Sequence, residues 1–292
     1  MPTISEAIAE GSRQFQSSSV DEARRTAGVL LCHVLGIDRT RLLTKSDQQI
    51  EESNYHSYLQ LIERRAAGEP LQYITGHQEF YGLDFIVTPA VLIPRPETEF
   101  LVEQVIKLSS ESHLIAPLIV DVGTGSGCIA VTIATSLPDA KVIATDVSAA
   151  ALAVAQKNAE QHGAARRIEF LEGDLLEPLG RSNLELSVDI LASNPPYVEE
   201  GRPELVQREV RDWEPHTALF GGADGLDFYR RLLADGLKYV KPGGYLICEI
   251  GYTQLDSISD MIAGPSWNLI EATSDLQGIP RTLTVRKVSG SS

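Results

Sequence analysis

The chain has 292 residues, of which 43% are hydrophobic and 22% are charged, a composition typical of folded globular proteins. Its length exceeds the usual size of one domain and predicts two, while no apolar run approaches the ~18 residues that a membrane span requires. The formal net charge of −15 argues against a large nucleic-acid interface, because contacts with phosphates require clustered lysines and arginines.

The segment before residue 75 has apolar residues at helical spacing and no strand-like alternation. We expect Asp21 to cap one helix of this segment and Gly36 to end it, and a further helix is predicted over residues 51–67. Residues 1–75 therefore predict a small helical bundle. Because it carries no chemistry of its own, we expect it to recognise or orient a partner.

A connecting segment follows at residues 76–96. Two aromatic-rich runs around Gly82 predict a β-hairpin. Pro94 and Pro96 prevent a helix from starting between them. For Arg95, which lies between the two prolines, spacing alone leaves three roles open: covering a bound cofactor, pairing with a carboxylate, or lying on the surface at a helix start.

A β-branched run at residues 118–122 leads into a glycine loop and then into a helical pattern. Glycines let the backbone approach a ligand closely. The fingerprint of nicotinamide-dinucleotide proteins would require glycine at position 128, where this chain has Cys128. The spacing Gly-x-Gly-x-Gly is instead similar to the first motif of S-adenosylmethionine-dependent methyltransferases. The candidate cofactor-binding residues of this loop are Gly123, Thr124, Gly125, Ser126 and Gly127.

Acidic residues follow two further predicted strands. Asp146 ends the run 141–145, and a carboxylate in this position can accept hydrogen bonds from both hydroxyls of a ribose. An ordinary acidic residue at a helix N-terminus is the alternative. Asp174 and Leu175 follow the next predicted strand, at residues 168–171.

The most distinctive motif is Asn-Pro-Pro-Tyr, directly after the apolar run 188–192. An Asn side-chain carbonyl and a backbone carbonyl can accept both hydrogens of a planar NH2 group. Two prolines fix φ and remove two donors, so that a carbonyl can face a ligand, and the tyrosine ring offers a surface for stacking. An Asn-Pro turn that merely closes a strand is the alternative. The candidate catalytic residues are Asn194, Pro195, Pro196 and Tyr197, and Asn194 and Arg95 are also candidate cofactor-binding residues.

Other residue types predict little chemistry. The three cysteines are scattered through apolar segments, so we expect reduced thiols and no disulfide. The six histidines show no ligand-like spacing, and we expect no metal. The first residues lack the basic and apolar pattern of a signal peptide, so we expect a cytoplasmic protein.

Several segments together resemble the release-factor glutamine N5-methyltransferases. They are residues 68–103, 121–127 and 194–197, with similar segments at 214–219, 248–251 and 275–281. Asn-Pro-Pro-Tyr alone is shared with adenine, cytosine and guanine amino-methyltransferases, whereas the segment 95–99 and the helical N-terminus narrow the resemblance. The resemblance implies an α/β fold: a seven-stranded, Rossmann-like class I methyltransferase domain over residues 97–292. It would follow the helical bundle and a hairpin linker, and its last strand would be antiparallel.

The resemblance also implies a cofactor, S-adenosyl-L-methionine, and a substrate, the glutamine of a Gly-Gly-Gln loop in class-1 peptide chain release factors. Asp174 would lie near the adenine and Leu175 would pack against its ring, although some relatives carry an aromatic residue there. Asn194 and the Pro195 carbonyl would accept the hydrogens of the substrate amide, and Tyr197 would stack on it. No side chain is assigned as a general base. We expect a monomer that binds neither nucleic acid nor membrane.

Two other functions stay open from the residues. A nucleic-acid amino-methyltransferase would use the same motif but needs a basic groove, which the composition does not favour. A binding protein that merely keeps the fold would need neither the glycine loop nor the Asn-Pro-Pro-Tyr motif.

Overall fold

A computed structural model describes residues 1–16, 20–181, 184–262 and 264–289. The chain forms two compact units. The first comprises Met1–His77 together with Arg208–Trp213, and the second comprises Gln78–Gln207 and the chain from Glu214 onward. The inclusion of Arg208–Trp213 in the first unit is a feature that the sequence pattern did not indicate.

The elements follow the chain in this order. The helices are α1 Ile4–Phe15, α2 Ala23–Leu35, α3 Arg39–Thr44, α4 Glu52–Ala66, α5 Leu71–Thr75, α6 Glu99–Glu111, α7 Cys128–Ser136, α8 Ala149–Gln161, α9 Arg208–Trp213, α10 Asp227–Tyr239 and α11 Leu255–Ile262. The strands are β1 His77–Phe80, β2 Leu83–Ile86, β3 Leu118–Val122, β4 Lys141–Asp146, β5 Ile168–Glu172, β6 Val188–Ser193, β7 Val240–Glu249, β8 Trp267–Ser274 and β9 Pro280–Lys287.

The first unit is helical and has its own apolar core, which includes Leu30, Tyr58 and Ile62. Gly36 ends α2 in the left-handed conformation (φ 60°), as predicted. The predicted cap Asp21 is wrong. The residue before α2 is Glu22, which also has a positive φ (48°) and makes no side-chain capping bond. Its backbone is therefore not extended, which is the conformation that a side-chain cap requires.

The second unit is built on a seven-stranded sheet with the order β5-β4-β3-β6-β7-β9-β8. β3 to β7 are parallel, whereas β9 runs antiparallel to both β7 and β8. This confirms the predicted class I methyltransferase fold with its antiparallel last strand. β1 and β2 form a separate two-stranded sheet, which is the predicted hairpin.

Helices cover both faces of the sheet, as buried parallel strands require. Successive residues of β3 face opposite sides, because side chains alternate along a strand. Ile119 packs in one apolar cluster with Ile133 of α7, and Val120 packs in another with Leu232 of α10. None of the described helices is long and apolar enough to cross a membrane.

Strand order reverses between β3 and β6, since β3 continues to β4 on one side and pairs with β6 on the other. In open α/β sheets, ligands bind outside the carboxyl ends of the strands at such a point. The fold therefore directs attention to the loops that follow β3, β4, β5 and β6.

Candidate active site

A cavity of about 800 Å³ lies at this edge of the sheet. Its size is in the range of pockets that bind cofactors and other small molecules. It brings together the ends of four strands that are far apart in the sequence. Eight of the predicted site residues line it: Gly123, Gly125, Asp146, Asp174, Leu175, Asn194, Pro195 and Pro196. Thr124, Ser126, Gly127, Tyr197 and Arg95 are not among the described residues that line it.

The glycine loop has two different functions within five residues. Gly123, Gly125 and Gly127 all have positive φ, of 73°, 55° and 80°. A Cβ built on Gly125 meets no protein atom within 4 Å, so this part of the loop lies open towards the cavity. A Cβ built on Gly127 would lie 3.0 Å from the Cβ of Ala155. Gly127 therefore serves the close packing of α7 against α8, and Gly125 leaves room for a ligand.

Asp121, which was not among the predicted site residues, fixes the glycine loop by hydrogen bonds from the side away from the cavity. Its side chain is fully buried and accepts hydrogen bonds from the Thr124 hydroxyl (2.6 Å) and the Ala130 N–H (3.1 Å). Burial raises the pKa of Asp121 to about 7. In the sequence it stands two residues before Gly123, at the start of the segment 121–127 that carries the resemblance.

Asp146 is fixed by two backbone donors. One carboxylate oxygen accepts the Gly125 N–H and the other accepts the Ser148 N–H, both at 2.9 Å. Burial raises the pKa of Asp146 above its ordinary value. A carboxylate has about four acceptor positions. Each oxygen therefore keeps room for one more donor, which suits the two adjacent hydroxyls of a ribose.

Asp174 and Leu175 form the next part of the wall. Asp174 pairs with Arg231 at 2.6 Å, and the Leu175 carbonyl accepts a hydrogen bond from the Thr145 hydroxyl at 2.9 Å. Leu175 has φ 47°, an uncommon conformation for a residue with a side chain. Together with the two glycines and Asp146, these residues offer an apolar and acidic cradle that fits an S-adenosyl group.

Asn194, immediately after β6, is oriented by two buried residues. Its side-chain nitrogen donates to the Thr98 hydroxyl (3.1 Å), and that hydroxyl donates to a carboxylate oxygen of Glu249 (2.6 Å). Neither the side-chain oxygen of Asn194 nor the carbonyl of Pro195 accepts a hydrogen bond from any part of the chain that the structure describes. Two acceptors are thus open beside the cavity, as recognition of a planar NH2 group requires.

Tyr197 packs against the apolar cluster that contains Val120 and Leu232. Its backbone carbonyl accepts a hydrogen bond from the Gln254 side chain at 3.0 Å. Burial raises the pKa of the Tyr197 hydroxyl. The stacking role of Tyr197 stays a prediction, since its ring is not part of the described cavity wall.

Arg95 forms an ion pair with Glu214. The same carboxylate accepts the Ile93 N–H at 3.0 Å, and its side chain is only 1% exposed. Of the three roles left open for Arg95, the structure shows pairing with a carboxylate. Glu214 follows α9 directly in the sequence, so the ion pair joins the proline loop to the segment after α9.

Residues 6–76 match the family model described as the PrmC N-terminal domain, and residues 96–212 match the methyltransferase small domain. A release factor glutamine methyltransferase of Koribacter versatilis is 42% identical over 98% of this chain and 99% of its own length. One of Moorella thermoacetica is 45% identical over 89% of each chain.

Solved structures agree in fold. The hMettl16 catalytic domain in complex with MAT2A 3'UTR hairpin 6 is 17% identical with a TM-score of 0.53, covering 82% of this chain and 83% of that one. A methyltransferase from Pyrococcus furiosus is 18% identical with a TM-score of 0.51, covering 72% and 91%. By its sequence similarity over nearly the full length, this chain belongs to the release factor glutamine methyltransferase family.

Proposed function

We propose that this protein methylates the side-chain amide nitrogen, N5, of the glutamine in the Gly-Gly-Gln motif of class-1 peptide chain release factors, with S-adenosylmethionine as the methyl donor. The observation that carries the proposal is the pair of open acceptors, Asn194 Oδ1 and the Pro195 carbonyl, beside a cavity that fits the cofactor. The names of the relatives supply the substrate.

S-adenosylmethionine supplies, when bound, a methyl group on a positively charged sulfur. Because Gly123 and Gly125 have no side chain, the cofactor could lie directly against their backbone. Asp146 would accept hydrogen bonds from its ribose hydroxyls. Asp174 and Leu175 would line the adenine end. Thr124, Ser126 and Gly127 would support the glycine loop without touching the cofactor. Arg95 would hold the proline segment 94–96 through its ion pair with Glu214.

An amide nitrogen is a poor nucleophile because its lone pair is delocalised into the carbonyl. Asn194 and Pro195 would accept both amide hydrogens, which orients the nitrogen and stabilises positive charge as it develops there. Pro196 fixes the backbone of the motif. Holding the two reactants in line can lower the activation free energy by roughly 7–11 kcal/mol. The proton would leave to water after transfer, so no residue acts as general base.

The charges of the cavity favour a protein substrate over a nucleic acid. Asp146, Asp174 and Glu200 are the described acidic residues of its wall, whereas the described basic residues are Arg231, which is paired with Asp174, and His216. A polyphosphate would meet repulsion here and across a chain of net charge −15. A nucleic-acid amino-methyltransferase is therefore the weaker alternative.

The helical segment, residues 1–75, would recognise the release factor, since it has its own apolar core and supplies none of the described residues that line the cavity. The hairpin would link it to the catalytic domain that begins near residue 97. We further propose that the protein is cytoplasmic and that it is a monomer. Sedimentation of the purified protein measures that directly.

The test is mass analysis of an intact release factor incubated with this protein and labelled S-adenosylmethionine. We expect one methyl group on the peptide that contains Gly-Gly-Gln, and labelling slower on the order of 10²–10³-fold with the Asn194→Ala variant. Label in RNA or DNA, with none in the release factor, would contradict the proposal.

A further inference from the structure

The side chains of Glu249, Thr98 and Asn194 form one hydrogen-bonded chain that begins in the core and ends at the cavity. Glu249 is the last residue of β7, Thr98 lies in the turn Pro96–Thr98 before α6, and Asn194 follows β6. Glu249 and Thr98 are 3% and 2% exposed, so substrate cannot reach either of them.

The direction of this chain is set by the number of protons. A hydroxyl has one proton to donate, and an ionised carboxylate can only accept. Thr98 therefore donates to Glu249, and the lone pairs of its oxygen face Asn194. Of the two ends of the Asn194 amide, only the NH2 group can donate to that oxygen. Oδ1 is consequently held on the opposite end, without a partner among the described residues.

We infer that Glu249 and Thr98 are positioning residues that hold the Asn194 amide in the one orientation in which its oxygen can accept a hydrogen from the substrate amide. The inference rests on the proposed function. The oxygen and the NH2 group of an asparagine amide have nearly the same shape. Packing alone cannot select between them, whereas a donor-to-acceptor chain can.

The opposite arrangement arises when Glu249 takes up a proton. Glu249 then donates to the Thr98 oxygen, Thr98 donates to Asn194, and the amide turns so that Oδ1 faces Thr98. The NH2 group of Asn194 would then meet the NH2 group of the substrate, donor against donor. Burial raises the pKa of Glu249 to about 7. Turnover should therefore be full above this value and fall as the pH drops through it.

Several charged or titratable groups surround Glu249. Glu97 also raises its pKa, and Arg281 and Arg95 lower it. The Tyr229 hydroxyl donates to its backbone carbonyl at 2.9 Å. Tyr197 and Cys128 also interact with its charge.

The experiment compares Thr98→Val, Thr98→Ser and Glu249→Gln with the wild type, using intact release factor. Thr98→Val should lower kcat about tenfold, which corresponds to the net value of one hydrogen bond, and leave the affinity for S-adenosylmethionine within about twofold. Thr98→Ser should restore kcat. In Glu249→Gln the fall of kcat below pH 7 should disappear, because no proton can then reverse the chain.

Thr284→Val is the matched control. Thr284 is a fully buried threonine of β9 whose hydroxyl has no partner in the described part of the chain. A kcat loss equal to that of Thr98→Val would mean that any buried threonine has this effect, and would overturn the inference. A wild-type kcat and an unchanged pH profile in Thr98→Val would also overturn it.

A measurement without substrate separates this inference from the proposed function. The side-chain 15N–1H2 signals of Asn194 should shift through pH 7 in the wild type and not in Glu249→Gln. This readout holds even if Thr98→Val does not fold. If the wild type labels no release factor but the signals titrate as expected, the proposed function fails and the hydrogen-bonded chain stands. If the signals do not titrate, the inference fails.

Discussion

Replacing Gly125 with alanine should weaken cofactor binding in addition to straining the backbone. The alanine would have φ near 55°, a conformation that destabilises a residue with a Cβ by about 1–2 kcal/mol. The protein itself offers the new methyl group free space, since nothing lies within 4 Å of it. That space is part of the cavity, so the methyl group would occupy room that a bound ligand needs.

Two further glycines separate strain from binding. Gly36→Ala has the same strain (φ 60°) and equally free space, but it lies at the end of α2 in the helical unit. Gly127→Ala adds to its strain a contact of 3.0 Å with Ala155, and overpacking of this kind destabilises by about 1–3 kcal/mol more. The order of unfolding free energies should be Gly125→Ala close to Gly36→Ala, and Gly127→Ala lowest.

Calorimetric titration with S-adenosylmethionine measures the cofactor affinity of each variant, and chemical denaturation measures its unfolding free energy. The affinity of Gly125→Ala should fall at least about tenfold, a loss of ~1.4 kcal/mol, while that of Gly36→Ala should stay unchanged. If Gly125→Ala binds the cofactor as the wild type does, the glycine loop is a structural turn and the assignment of the cavity is refuted.

Three other perturbations test single side chains. Asn194→Ala should lower kcat on the order of 10²–10³-fold with little change in cofactor affinity, whereas Asn268→Ala on the exposed face of β8 should leave both unchanged. Asp146→Asn places a donor against the Gly125 or Ser148 N–H and should weaken cofactor affinity about tenfold or more. The control Asp139→Asn, at an exposed position, should leave cofactor affinity unchanged. Because burial raises the pKa of Asp121 from 3.8 to about 7 in the folded state, its contribution to stability falls as the pH rises from about 4 to 7. Asp121→Asn should flatten the unfolding free energy over that window, and an unaltered pH dependence would show that Asp121 does not titrate there.

Local sequence signals determined the parts of the site that depend on neighbouring residues. The glycine loop, the acidic residue after β4 and the motif after β6 each follow a strand. The carboxyl ends of parallel strands meet at one edge of a sheet, so these positions had to converge. Glu249 stands at the end of β7 in the same way as Asp146 stands at the end of β4. The same rule could have selected it.

Only the tertiary structure decided which distant residues touch. Asn194 and Thr98 are 96 positions apart, and Thr98 and Glu249 are 151 positions apart. No periodic pattern relates such positions, because their contact depends on how non-adjacent elements pack. The same holds for α9, which belongs to the helical unit although it lies between residues of the other unit. The sequence by itself determined the acceptor motif, because short-range spacing encodes strands and loops, and its resemblance to a known family implied the fold class. The orientation of the Asn194 amide depended on long-range packing, because only packing brings a buried carboxylate behind it.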